Sequence, residues 1–467
     1  MLSKDMADGI GLSFVIEKLE LSSYYGIEVV RDLNAAIYDF KALHSISSID
    51  LAACHQNIFK LMKLHPSQIL ELQDVLSNFK NIKGTVKKLE TSSLSEVDLF
   101  EIKRFLLGLD RLLKLQRRFD FHLDEIHFTQ MTDPLNILDP TNQRIAVFSI
   151  HDGYYPALRA ARQEKARIEA LIDQHGMTDE LINKRKEITS EEDKHEQAAL
   201  KDLSGKLRPF VPIFKSNINS IGALDFTLAK AVLAKQTDAV CPKISPSDLK
   251  LVNMWNPKTK AELSKIGRTF TKTSIDLEPG ATVLIGANMG GKSLTIKTVL
   301  LNVLLANMGF YVYADMAEVP VYDDVFFIEE GAGNDFLSSF GSEIVQLNKV
   351  VNHLAGKKLF ITLDEPAKTT NPAEGAKIVR GIVTFFAKQK STSLISTHYD
   401  HVQENAQTIY QTASFTYNGI ENASLDSLAN FIKYELRKVD KDTAIPTEAI
   451  KLCKVLGLSP ALLEEIV

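Results

Sequence analysis

Three short stretches of this chain carry residue types that handle phosphate. The first is Gly286-Ala287-Asn288-Met289-Gly290-Gly291-Lys292-Ser293, which meets the loop pattern G-x-x-x-x-G-K-[ST] at every fixed position. Glycines let backbone N–H groups turn inward around an anion, and the helix that follows adds the positive end of its dipole. In such loops the lysine, here Lys292, reaches the β- and γ-phosphates, and the hydroxyl, here Ser293, binds Mg²⁺. The bare pattern arises by chance in about one chain in a hundred of this length. On this motif alone, a glycine-rich turn before an ordinary helix stays open.

Two further stretches remove that alternative. Leu359-Phe360-Ile361-Thr362-Leu363-Asp364-Glu365 is an apolar run ending in two acids. In enzymes with a phosphate loop the first acid, Asp364, holds Mg²⁺ through water, and the second, Glu365, polarises the attacking water. Leu394-Ile395-Ser396-Thr397-His398-Tyr399 is another buried-type run with a polar end. A histidine there, His398, is placed to touch the γ-phosphate or to sense its loss. In this order the three stretches predict an ATP-hydrolysing site with ATP and Mg²⁺ as its ligands.

The elements that must position these residues are legible from periodicity. Ala281-Thr282-Val283-Leu284-Ile285 leads into the loop as a β-favouring run, and Ser293 to Leu301 leads out with helical apolar spacing. Residues 245 to 420 alternate strand and helix signals, which predicts a parallel sheet. Residues 1 to about 145 read as helices, carried by Phe14 to Leu21, Ile58 to Leu64 and Val97 to Leu107. Further passes follow at Leu112 to Leu115 and Phe119 to Phe121, and breaks at Asp133-Pro134 and Asp139-Pro140. Arg144 to Gly153 is strand-like. From Tyr155 to about Leu207 the chain is strongly charged and predicts two antiparallel helices turning near Gly176, either as arms for a partner or as a solvated face. Ile221 to Ala231 returns to apolar helix, and Cys241 to Pro257 reads as a linker into the α/β part. The domains expected are 1–244, helical, with charged arms at about 155–207; 245–425, the ATPase domain; and 426–467, a helical segment for dimerisation. In that last segment Ile450, Leu452, Val455, Leu458 and Leu462 are too many apolar positions for a lone tail, unless they pack on their own domain.

Composition bounds the rest. The chain has 467 residues, 45% hydrophobic and 24% charged, with a net charge of −5, which gives no support for nucleic-acid binding without excluding it. No apolar run approaches the ~20 residues of a membrane span, and the first residues lack a signal peptide's pattern. Cys54, Cys241 and Cys453 stand apart with no metal-ligand spacing, as reduced thiols of a cytoplasmic protein do.

The string Asn288-Met289-Gly290-Gly291-Lys292-Ser293 resembles the MutS family of mismatch-repair ATPases. So do Gly309 to Ala314, the acid pair Asp364-Glu365, Ser396-Thr397-His398-Tyr399, the run Ile221 to Ala234 and the C-terminal Ala449 to Pro460. The resemblance implies a multidomain fold: an all-α MutS-like core with helical arms, followed by an α/β P-loop ATPase domain. It implies a homodimer that couples ATP turnover to conformational change, and DNA as a partner. It also implies a serine acting in trans, with Ser338, Ser339 and Ser342 as the choices. Phe270 is a candidate to stack on adenine, or an apolar residue at a strand edge.

The departures are specific. No Phe-x-Glu wedge stands ahead of the ATPase part, so mismatch recognition is not expected; Phe327-Ile328-Glu329 has the spacing but reads as a core strand. Where the family continues Ile-Gly-Arg-Gly-Thr after its acids, this chain has Pro366-Ala367-Lys368-Thr369-Thr370. Val97 to Phe105, Asp139 to Phe148 and Tyr155 to Arg159 resemble a short MutS-related subgroup. That subgroup includes the ATPase that reactivates a cobalamin-dependent lysine aminomutase, which implies a protein partner instead of DNA. Any DNA contact would be non-specific, through Arg159, Arg162, Lys184 and Arg185.

Overall fold

The apolar runs that end in polar tips become neighbouring strands of one sheet. The computed structural model describes residues 4–38, 50–150, 155–286, 290–329, 339–412, 435–443, 453 and 457–466. Its strands are β1 (Lys243–Ser245), β2 (Leu249–Met254), β3 (Thr273–Leu277), β4 (Gly280–Ile285), β5 (Met316–Pro320), β6 (Asp324–Glu329), β7 (Leu359–Asp364), β8 (Thr392–Thr397), β9 (Thr408–Thr412) and β10 (Leu436–Lys438). Six of them form a sheet in the order β10-β9-β4-β8-β7-β6. Every neighbour is parallel except β10 on β9.

β4, β7 and β8 are buried at every position. A parallel sheet covered on both faces needs such unbroken apolar runs. Ala281, Val283, Ile285, Ile361 and Leu363 pack with Val379, Val383 and Phe386 of the Pro372–Phe386 helix. Register then brings the strand ends level: Ile285 lies opposite Thr397, and Glu329 opposite Asp364. From β4 the chain goes to the far edge at β6, returns through β7 and β8, and crosses to β9 on the other side of β4. The loop after β4 thus stands where the strand order reverses, the position at which open α/β sheets bind ligands.

The Lys292–Asn307 helix after the loop is buried nearly all round. Its Asn302 carboxamide accepts the Tyr313 N–H at 2.6 Å and donates to the Thr298 carbonyl, so this fully buried amide is satisfied.

A second sheet runs β1-β5-β2-β3. It corrects the reading of Cys241 to Pro257 as a linker. Prolines at 242, 246 and 257 punctuate the stretch, yet Leu249, Leu251 and Met254 are fully buried and pair into the sheet. A second correction concerns Arg144 to Gly153: residues 144–150 form no strand, and 151–153 lie outside the described residues. Side chains bind this backbone instead of a ladder. Lys103 Nζ donates to the Val147 carbonyl at 2.8 Å while paired with buried Asp139, and Asp139 accepts the Arg144 N–H. Leu112 to Phe119 is no separate pass but the end of one helix, Glu96–Phe119, opened by a Ser95/Asp98 capping box.

The chain divides into two compact units: Met1–Glu20, Asp32–Ile58 and Lys230–Val467 in one, Leu21–Arg31 and Phe59–Ala229 in the other. Both sheets belong to the first. The second is helical among its described residues and includes the charged pair, Pro156–His175 and Asp179–Leu207, which turns at Gly176 with φ 81°. Ion pairs join the two helices: Arg162 to Glu192 and Glu196, Lys165 to Glu192, and Arg185 to Glu169.

At the C-terminus a short helix, Pro460–Ile466, leaves Leu462 and Ile466 exposed. Ile450, Leu452 and Val455 lie outside the described residues, as does most of the segment expected to dimerise. Among the described residues no helix is long and apolar enough to cross a membrane.

Candidate active site

The buried strand β4 delivers Gly286 at φ 150°. A Cβ there would stand 2.1 Å from Thr412 Oγ1 on β9, so any larger residue would have to displace that threonine. Ala287, Asn288 and Met289 lie outside the described residues. Gly291 caps the next helix at φ 89°, and Lys292 is the first helical residue. Ser293 follows with its side chain exposed. Lys292 is 4% exposed. Its Nζ donates to the Gly286 carbonyl at 2.8 Å and lies 3.1 Å from Glu365 Oε1.

The two acids share a peptide but not an environment. Asp364 ends β7 and is buried; Glu365 turns into the left-handed region at φ 50°. Ser396 Oγ donates to Asp364 Oδ1 at 2.7 Å and accepts the Glu365 N–H at 2.8 Å. Around Glu365 stand three potential cations: Lys292, Lys368 at 3.2 Å and His398 Nδ1 at 3.8 Å.

Burial alone would raise the Glu365 pKa, but the charge of Lys292, helped by Lys368, outweighs it and holds the carboxyl below the ordinary range. Burial also lowers the His398 pKa, and Glu365 only partly offsets this. Near neutral pH the pair is therefore carboxylate and neutral imidazole. His398 Nδ1 is buried without a hydrogen-bond partner among the described residues.

The loop beyond the acids is clamped from two sides. Ala367 takes φ 61°. Its N–H donates to Glu343 Oε1 of the Ser339–His353 helix, and its carbonyl accepts the Tyr399 hydroxyl, both at 2.9 Å. Of the three serines considered for action in trans, Ser338 lies outside the described residues. Ser339 opens the helix half-buried. Ser342 is buried within it with its hydroxyl unbonded.

Gly290, Gly291, Leu294, Thr412 and Phe270 line one shallow, solvent-open cleft. Phe270, nominated from sequence, thus lines the same cleft as the phosphate loop. Ser293 and Asp364 offer an alcohol and a carboxylate, the hard oxygen donors that suit Mg²⁺. Among the described residues no three His, Cys, Asp or Glu side chains cluster for a metal held by protein alone, and Mg²⁺ seldom uses such a cage when phosphate and water complete its shell. Sequence reasoning missed the bridging hydroxyl of Ser396, the Lys368 contact and the Glu343 clamp. Ser396 stood inside a recognised motif and Lys368 in the stretch that departs from the family's pattern; Glu343 carried no local signal.

Comparison with known proteins agrees with this geometry. Residues 282–460 match the model of MutS domain V, a P-loop ATPase domain. The chain is 30% identical over 228 residues to the endonuclease MutS2 of Leuconostoc mesenteroides, covering 48% of this chain and 28% of that protein. It is 26% identical over 391 residues to the endonuclease MutS2 of Clostridium novyi, covering 80% and 46%. With the DNA mismatch repair protein MutS of Bacteroides fragilis the identity is 24% over 375 residues, covering 76% and 41%. The chain spans less than half the length of each of these relatives. Residues 282–460 thus resemble a MutS domain V, and two matches too long to fit within the ATPase part extend the likeness to MutS-family proteins into the helical half, which supports membership of that family.

Proposed function

We propose that this chain is an ATP hydrolase that couples nucleotide turnover to a change of conformation read by a partner. The observation that carries this reading is the meeting of Lys292 and Glu365 at the end of β4, 3.1 Å apart and mostly buried. A phosphate arriving on the loop competes with Glu365 for Lys292. Once displaced, Glu365 is a carboxylate with no fixed cation on that side, beside the place where the γ-phosphate ends. There it orients water for in-line attack. His398, neutral and unbonded at Nδ1, lies within reach of the same region and reports the γ-phosphate. Phe270 stacks on adenine at the far end of the cleft. Ser293 and Asp364 would hold Mg²⁺, which would supply charge neutralisation to the bound triphosphate.

On the partner, one relative's name speaks of DNA mismatch repair and another's of an endonuclease, but the arms favour a protein. Residues 155–207 hold ten Lys and Arg against eleven Asp and Glu, a net charge of −1. Of the nominated phosphate contacts Arg159, Arg162, Lys184 and Arg185, the last three pair with Glu192 and Glu196, Glu180, and Glu169 respectively. A DNA clamp needs unspent positive charge. The second reading, a factor that remodels a partner enzyme such as a cobalamin-dependent aminomutase, therefore gains weight from the arms. The working unit under either reading is a homodimer.

Lys292→Ala is expected to abolish tight ATP binding measured by calorimetry, because the triphosphate loses its buried cation. Glu365→Ala is expected to keep binding and lose roughly 10²-fold in turnover, the scale of a lost general base. Unchanged affinity in the first variant, or near-parental turnover in the second, removes the assignment.

The pH profile follows from the two depressed pKa values. Glu365 is ionised above the ordinary carboxylate range, and its contribution is lost only as pH falls through its lowered value. His398 is neutral already below its ordinary value of about 6.5. Turnover should stay flat from about pH 8 to about pH 6. A fall centred near pH 6.5 would show His398 taking up its proton unshifted.

For the partner, binding to a random duplex is measured between about 50 and 200 mM salt. A DNA-binding role predicts a loss of tenfold or more across that range. No measurable binding at the lower salt leaves the protein-partner reading. Sedimentation with and without ATP tests the dimer; a chain that stays monomeric in both conditions removes it.

A further inference from the structure

Given the ATPase reading, we infer that Ser396 is a positioning residue whose single hydroxyl sets Asp364 and Glu365 to separate tasks. The backbone ladder between β7 and β8 ends at Leu363 opposite Ile395. One residue further on, the side chain of Ser396 takes over the ladder's role. Its Oγ accepts the Glu365 N–H at 2.8 Å and donates its proton to Asp364 Oδ1 at 2.7 Å. A hydroxyl has one hydrogen and two lone pairs, so it can make both bonds at once.

Glu365 needs this. Successive strand residues point to opposite faces, and a straight continuation would turn Glu365 away from the face Asp364 uses. At φ 50° the chain bends instead, into a region disfavoured for a residue with a side chain. The bend brings the Glu365 carboxylate to Lys292, while Asp364 stays at the strand end. Ser396 holds the bend by its N–H and holds the other acid by its carboxylate. It is fully buried, so no water can stand in for the hydroxyl without new space. The hydroxyl bonds to the two acids, so it acts through them and not on the nucleotide.

The test is Ser396→Ala, which removes the hydroxyl and adds no bulk, with ATP affinity and steady-state turnover measured on the full chain. Affinity should stay within about threefold while kcat falls on the order of tenfold or more, the scale of one charge-assisted hydrogen bond. The Mg²⁺ concentration for half-maximal turnover should rise, since one hydroxyl serves both acids. A double-mutant cycle separates positioning from mere stability. In a Glu365→Ala background, at saturating Mg²⁺ so that the effect through Asp364 is masked, the same change should alter kcat by less than about threefold, because the part acting through Glu365 has nothing left to act on. A Ser396→Ala chain with parental kcat and Mg²⁺ requirement overturns the inference and leaves the ATPase reading intact. A full additive loss in the Glu365→Ala background overturns it too. A parent chain that neither binds nor hydrolyses ATP overturns both.

Discussion

The buried ammonium of Lys292 constrains everything around it. A cation that is 4% exposed cannot stand alone in apolar surroundings. It takes a backbone carbonyl from Gly286 and a carboxylate from Glu365. The carboxylate can reach it only if the chain bends sharply after β7, and the bend is held by Ser396 from the neighbouring strand. The neighbouring strand is in place only because β4, β7 and β8 are buried along their whole length in one parallel sheet. The charge therefore explains the bend, and the bend explains why the polar tips of two strands belong to one site.

The site was readable in the sequence to the extent that its parts are local. A phosphate loop needs glycines and a lysine at fixed spacing, and buried parallel strands must be apolar throughout, so Ala281 to Ile285, Leu359 to Leu363 and Leu394 to Ile395 stand out. What one side chain does for another across strands leaves no local trace. Ser396 looked like an ordinary polar strand end, and nothing in the sequence singled out Glu343. Nor did anything local mark Met1–Glu20 and Asp32–Ile58 as belonging with the C-terminal half. Cys241 to Pro257 misled because proline and serine punctuate strands only three and six residues long. Arg144 to Ile150 misled for the opposite reason. Its apolar, β-branched residues suit a strand, but Lys103 and Asp139 satisfy its backbone before any strand could.

The charged helix pair shows how composition conceals organisation. Ten cations and eleven anions in residues 155–207 would suit a solvated surface or a polyanion's partner alike. Only the arrangement distinguishes them. Arg162, Lys165 and Arg185 reach across to the facing helix rather than outward. Each exposed pair is worth little alone, about 0–1 kcal/mol, so the pairs set alignment more than stability. Glu192, shared by Arg162 and Lys165 and 9% exposed, anchors the set.

Gly286 is held to glycine from two independent directions. One is the turn of the phosphate loop. The other is the hydroxyl of Thr412, which occupies the space a side chain would need whether or not a nucleotide ever binds. A descendant of this chain that lost Lys292 and the acid pair could replace that glycine only by moving the threonine of β9. The first glycine of the loop would then persist as a relic of packing, and its presence in a degenerate relative would say nothing about catalysis.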